Sequence, residues 1–219
     1  MRAFILTALL LYTLINTGRT QSLTDSAIKE EGNAAFRLAN EKPDSAFAIS
    51  THALQLYRKT GNKRLAAYAY KSRGWAYLHL GNFDSSYSDL LKSTEFFSQI
   101  KDTLELMYMY INMANAYSNG SQFANSAKYL MKADSVSKLM DDLKARAGIK
   151  LQMGILYREQ NEYQKAIPYF KESINDYKTL GDTVKYTSAI GSLCILYMTL
   201  LMPDSSLALL YQASPLLMK

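Results

Sequence analysis

The fold turns on one stretch, Gly154-Ile-Leu-Tyr157-Arg-Glu-Gln-Asn-Glu162-Tyr163-Gln-Lys-Ala166-Ile-Pro-Tyr-Phe170-Lys-Glu-Ser173. Small Gly154 stands three residues before Tyr157. After a polar break over 159–162 come Tyr163, small Ala166 and large Phe170, so each half puts its apolar residues on one face of a helix. The stretch predicts two amphipathic helices joined by a tight turn, each with an apolar stripe and a notch for its neighbour. Alone, such a hairpin cannot bury its stripes. The same pattern recurs at steps of 40 residues: Tyr77, Tyr117, Tyr157 and Tyr197 in first helices, and Phe83, Phe123 and Tyr163 at the starts of second ones. The chain therefore reads as an array of helical hairpins.

Other residues keep the same step. Second helices are predicted to open at Pro43, Phe83, Phe123, Tyr163 and Pro203. Asp44-Ser45, Asp84-Ser85 and Asp204-Ser205 follow three of these starts and read as caps, since carboxylates and hydroxyls accept bonds from free first-turn N–H groups and suit the helix dipole. Asn62, Asp102, Asp142 and Asp182 precede successive first helices as N-caps, and Gly61 and Gly181 end the helices before two of them. Gly74, Ala114, Gly154 and Cys194 lie in first helices, and Ala53, Ser93, Ala133, Ser173 and Ala213 late in second ones. Helix axes approach closely only where side chains are short. Cys194 reads as one of these small buried residues and not as a reactive thiol.

The first residues differ in kind: Met1-Arg2, an apolar run from Ala3 to Ile15, then polar residues to Gln21. This is the three-part layout of a secretory signal. A helix over that run would be about 20 Å long, short of a bilayer core of roughly 30 Å. A leader over residues 1–20, cleaved after Thr20 or Ser22, is expected, with any membrane contact only through an uncleaved signal segment. The single cysteine, Cys194, lies far from the apolar run, so neither a lipid anchor nor an internal disulfide is expected. The expected location is outside the cytoplasm, in the bacterial periplasm. Net charge is a modest +6, with Lys and Arg spread along the chain, so nucleic acid is not an expected partner.

Small-x-x-Tyr in one helix, an aromatic at the turn, then a small residue followed by a larger apolar one resembles the tetratricopeptide repeat. Gly154-x-x-Tyr157 to Tyr163-x-x-Ala166-x-x-x-Phe170 is the clearest case, and Gly74-x-x-Tyr77-x-x-x-Gly81-x-Phe83 keeps the turn glycine. The unit here is 40 residues against the usual 34 or so, as in longer bacterial variants. The resemblance implies an all-α fold, an α-solenoid or superhelix of about five antiparallel helix hairpins. These would span residues 21–219, with units near 23–61, 62–101, 102–141, 142–181 and 182–219. Phe36 comes one residue early and Ser50 replaces a large apolar residue, so the first unit looks like an eroded cap. First helices would line a concave face carrying Tyr68, Lys71, Trp75 and His79; Tyr108, Asn112, Asn115 and Asn119; and Gln152, Ile155 and Arg158. Of these, Tyr68, Lys71, Trp75, Tyr108, Asn112, Asn115 and Arg158 are the candidate binding residues for a protein or extended peptide. Trp75, placed after the notch at Gly74, is expected to point away from helix contacts and to anchor the partner.

Enzymatic signatures are missing: His52 and His79 lie on different helices, and there is no HExxH, phosphate-binding glycine loop or G-x-S-x-G. No catalytic residue, cofactor or metal site is expected. At the other end, Leu207, Leu209, Leu210, Tyr211, Leu216, Leu217 and Met218 leave the last helix without a polar side. Ends of such arrays need a polar outer face. Either this helix docks on a partner or on a second copy, as a homodimer, or the natural chain runs further. Pro215 is expected to bend or end it near Ser214. Two functions fit: an exported scaffold that binds proteins or peptides, and the extracytoplasmic sensory part of a bacterial signalling receptor whose output domain lies outside this sequence.

Overall fold

The computed structural model describes residues 24–217. They form α1 (Asp25–Glu41), α2 (Pro43–Thr60), α3 (Lys63–His79), α4 (Phe83–Gln99), α5 (Thr103–Asn119), α6 (Phe123–Leu139), α7 (Leu143–Glu159), α8 (Tyr163–Leu180), α9 (Thr183–Thr199) and α10 (Pro203–Leu217). No strand occurs among the described residues, and no described helix is long and apolar enough to cross a membrane. The expected leader over residues 1–20 and its cleavage sites lie outside the described residues.

The joints explain why helices begin and end where they do. Asn62, Asp102, Asp142 and Asp182 each accept a bond from the backbone N–H three residues on, at 3.0, 3.2, 2.9 and 3.0 Å. Thr24 does the same for α1. From α2 to α9 the residue after each helix, or the next, turns left-handed: Gly61, Gly81, Lys101, Ser121, Asp141, Asn161, Gly181 and Leu201 have φ between 51° and 75°, whereas Lys42 after α1 has φ −141°. These positions recur every 20 residues, so one kind of joint serves both between hairpins and within them.

Two expectations need correction. Pro43, Phe83 and Pro203 are the first residues of their helices, so Asp44, Asp84 and Asp204 stand inside the first turn, where they suit the dipole without capping. The cap of α4 is Asn82, which accepts from the Ser85 N–H, and Lys42 before α2 makes no side-chain cap bond. Pro215 does not end α10, which runs on to Leu217. A proline removes one i to i−4 bond, and here only two helical residues follow it. Pro168 likewise sits inside α8.

The chain divides into two compact units, one up to Ala116 and one from Tyr117. In the first, α1 packs on α2 and α3, and α3 on α2 and α4. First helices form one layer and second helices the other. Gly74 lets α3 approach α4 so closely that a Cβ there would stand 2.9 Å from the Leu90 side chain. The Ser93 hydroxyl donates across the same interface to the Ala67 carbonyl, 2.8 Å away.

The second unit repeats these devices. A Cβ on Gly154 would lie 2.7 Å from the Phe170 ring, and Ser173 donates to the Ala147 carbonyl at 2.8 Å. Tyr117 stacks on Tyr129 and Tyr157 on Tyr169, both with ring centroids 5.5 Å apart. Ala166 and Phe170 of α8 are buried with Leu193, Leu196 and Tyr197 of α9, flanked by Ile155 and Ile167.

Candidate binding surface

The candidate residues sit on the first-helix layer, and in the first unit α1, α3 and α5 are joined by a charged seam. Glu105 of α5 receives Lys71 of α3 at 3.1 Å and Lys29 of α1 at 3.2 Å. Arg64 bridges Asp102 at 2.6 Å and Asp25 at 3.2 Å. The Lys71 ammonium also donates to Asn33, 3.0 Å away, and lies 4.9 Å from the centre of the Phe36 ring. Burial pushes the Lys71 amine below its usual pKa, with Glu105 opposing the shift. Burial alone would raise Glu105, but Lys71, Tyr68 and Lys29 hold it below the ordinary carboxylate value.

This seam moves two expected residues off the surface. Tyr68 is 1% exposed, beneath Gly32 and edge-on to Phe97 at 5.0 Å. Burial, then Glu105, raises its phenol well above the usual range. Lys71 is 5% exposed and fully engaged. Both lie on the expected side of α3, but α1 covers them. Trp75 is corrected as well: it is half-buried, packs on Phe36 at 5.2 Å, and donates its indole N–H to Asn40 at 2.9 Å. It therefore ties α3 to α1 and keeps only part of its ring in solvent. His79, exposed beside it, shares the same Asn40 oxygen at 3.1 Å.

Tyr108, Asn112 and Asn115 continue the α5 stripe from Glu105 at helical spacing. Tyr108 is 43% exposed, and the two asparagines are half-buried. Arg158 belongs to the second unit, half-buried near the end of α7. The open part of the first-unit surface is thus Lys29, Trp75, His79 and the Tyr108–Asn112–Asn115 stripe. Sequence spacing missed Glu105, Lys29, Asn33 and Asn40. Glu105 had a visible signal, being the only acid in the apolar run Leu104–Met109.

Among the described residues no three His, Cys, Asp or Glu side chains gather as metal ligands would. A cavity of about 30 Å³ between α1, α2 and α3, lined by Glu31, Ser50, Tyr68, Ser72 and apolar side chains, has room for water and not for a cofactor. Burial raises the pKa of Glu31 at its edge.

Stacked hairpins of two helices define the class: a helical-repeat protein. Residues 147–175 match the family model described as tetratricopeptide repeat. A crystal structure of the nearly identical TPR-like repeats of a protein described as a kinesin light chain, from Podosopora anserina, aligns with a TM-score of 0.70 at 14% identity, covering 88% of this chain and 95% of that one. BtubC (BKLC) from P. vanneervenii gives 0.61 at 14% identity, over 88% of this chain and 89% of its own. The apo form of RapI gives 0.73 at 14%, over 94% of this chain and 58% of that one. No curated protein matches. At such identity the structures show the fold alone, a stack of TPR-like helical hairpins, and the tetratricopeptide-repeat model matches one repeat of this chain, residues 147–175.

Proposed function

We propose that this protein is an exported scaffold that binds an extended peptide or a protein segment on the first-helix layer of its first unit. The observation that carries the reading is the Tyr108–Asn112–Asn115 stripe. It combines an exposed aromatic with amides on a helix whose neighbours are locked in place by the Lys29–Glu105–Lys71 seam. An aromatic supplies apolar contact and the amides pair with a partner's backbone, while the fixed floor limits the ordering cost of binding. Trp75 and His79 extend the surface, and Arg158 offers a cation in the second unit.

Peptides selected from a displayed random library test this reading. Tyr108→Ala and Asn112→Ala should each weaken the selected peptides by about tenfold, a loss of the size common at interface anchors, with melting unchanged. Selected peptides that bind both variants like the parent would overturn it. Export rests on the layout of residues 1–20. A mature N-terminus at Gln21 or Leu23 after expression in a Gram-negative host supports it, and retention of Met1 in the cytoplasm sinks it. A second reading, the sensory part of a bacterial signalling receptor, is favoured by the RapI alignment, in which an array of this size is only 58% of a longer chain. A downstream output domain in the same reading frame would select it.

A further inference from the structure

At the end of α3 two ring nitrogens meet one oxygen. Trp75 donates its indole N–H to Asn40 Oδ1 of α1 at 2.9 Å, and His79 Nε2 lies 3.1 Å from the same atom. An indole nitrogen only donates, so the Asn40 oxygen has to face it and the carboxamide is not free to turn over. Its Nδ2 group is used on the other side, donating to the Arg37 carbonyl at 3.2 Å. His79 Nε2 therefore faces an acceptor. The two lone pairs of a carboxamide oxygen serve both donors, whereas a bare Nε2 would set lone pair against lone pair.

We infer that neutral His79 carries its proton on Nε2, and that its Nδ1 is a fixed hydrogen-bond acceptor selecting segments that present an N–H group beside Trp75. This rests on the reading of the first unit as a peptide-binding surface and adds to it a rule of choice. A neutral imidazole holds one donor and one acceptor, and which nitrogen is which follows from the bond the other makes. With Nε2 committed to Asn40, the lone pair stays on Nδ1. His79 is exposed, and Nδ1 has no partner among the described residues. The ring also stands edge-on to Trp75 with centroids 5.7 Å apart, so little freedom is lost when a donor arrives.

Lys71, Trp75 and His79 fall at i, i+4 and i+8, along one stripe of α3. Lys71 is buried, Trp75 half-buried and His79 exposed, so the open end of the stripe sets an acceptor next to an aromatic ring. Choice follows from the contrast with Asn112 and Asn115 of α5. A carboxamide carries donors and an acceptor, and by turning over it suits either kind of partner group. A histidine with a fixed tautomer cannot. A segment that offers a carbonyl to Nδ1 leaves two acceptors facing each other unpaired, which counts against it.

Nitrogen NMR on the full chain, isotopically labelled at its two histidines, tests the tautomer, with His52→Gln assigning the signals. At alkaline pH the proton should sit on Nε2 of His79 and the bare nitrogen should be Nδ1; the reverse pattern overturns the inference with no partner present. Peptides selected on the parent test the acceptor. On their binding the Nδ1 signal should move upfield. His79→Gln, which keeps a donor near Asn40 but lacks Nδ1, should weaken them roughly fivefold, the size expected for one hydrogen bond. His79→Asn, with an oxygen near the place of Nδ1, should recover part of that loss. N-methylation of the peptide, one backbone N–H at a time, should find one group whose removal weakens binding to the parent and not to His79→Gln. An unmoved Nδ1 signal in the complex, or equal affinity of parent and His79→Gln, overturns the inference. Tyr108→Ala keeps the two readings apart. Peptides that lose affinity there but ignore His79→Gln refute the acceptor alone, whereas peptides indifferent to Tyr108→Ala and Asn112→Ala refute the surface itself.

Discussion

Lys71 keeps an ammonium at 5% exposure because Glu105, Asn33 and the Phe36 ring surround it. Glu105→Ala would leave that charge buried and unpaired, and a loss of about 3–5 kcal/mol is expected in urea denaturation. The pH dependence has a definite sign. Glu105 has a folded pKa below its ordinary 4.5, so its contribution is present above that value and disappears as pH falls through the folded pKa. Stability of the parent should therefore drop on acidification more steeply than that of Glu105→Gln. Glu31, shifted upward by burial, acts in the opposite sense in both proteins and cancels in the comparison. Trp75→Ala, harmless if the ring pointed away from helix contacts, should instead cost about 1–3 kcal/mol, because the ring packs on Phe36 and binds Asn40. Helical spacing put Tyr68, Lys71 and Trp75 on the correct side of α3. It could not show that α1 lies over them, since that contact joins Gly32 to Tyr68 and Asn33 to Lys71 across more than thirty residues of chain.

Among elements, the hairpin α7–α8 is held at a close approach that Gly154 permits. Gly154→Leu should lower the denaturation midpoint by at least the 1–3 kcal/mol typical of overpacking, because even a methyl would meet the Phe170 ring at 2.7 Å. The joints offer the reverse. Leu201 is left-handed at φ 56° and 88% exposed, so Leu201→Gly should stabilise by about 1 kcal/mol through relief of strain. Thermal melting checks both. The second-helix starts at Pro43, Phe83, Phe123, Tyr163 and Pro203 were legible, since an aromatic or proline follows a turn and caps recur in step. The left-handed Lys101, Ser121, Asp141, Asn161 and Leu201 were not, because only glycine announces that conformation in a sequence. Ser93 and Ser173 were read as small residues, and their hydroxyl bonds to carbonyls of the facing helix needed coordinates.

For the whole molecule, each helix touches near neighbours in the chain, so stability is a sum of local terms. Native-state hydrogen exchange on Gly154→Leu should show protection lost chiefly in α7, α8 and α9, with α1 to α4 unchanged; uniform loss would mean a single cooperative block. The class of fold was readable because five units repeat one pattern, and repetition turns a weak motif into a strong one. The partner was not, because binding depends on the few side chains that repetition leaves free to vary. The joints reach further than folding. Left-handed residues stand 20 apart, and Gly61, Lys101, Asp141 and Gly181 each precede an Asn or Asp cap. Excising residues 142–181 would join Asp141 to Asp182 and rebuild the same kind of joint. At the level of the gene, in-frame loss or gain of such a cassette changes how many hairpins are made without altering any one of them. Chain length is thus a quantity that descent can adjust in whole steps.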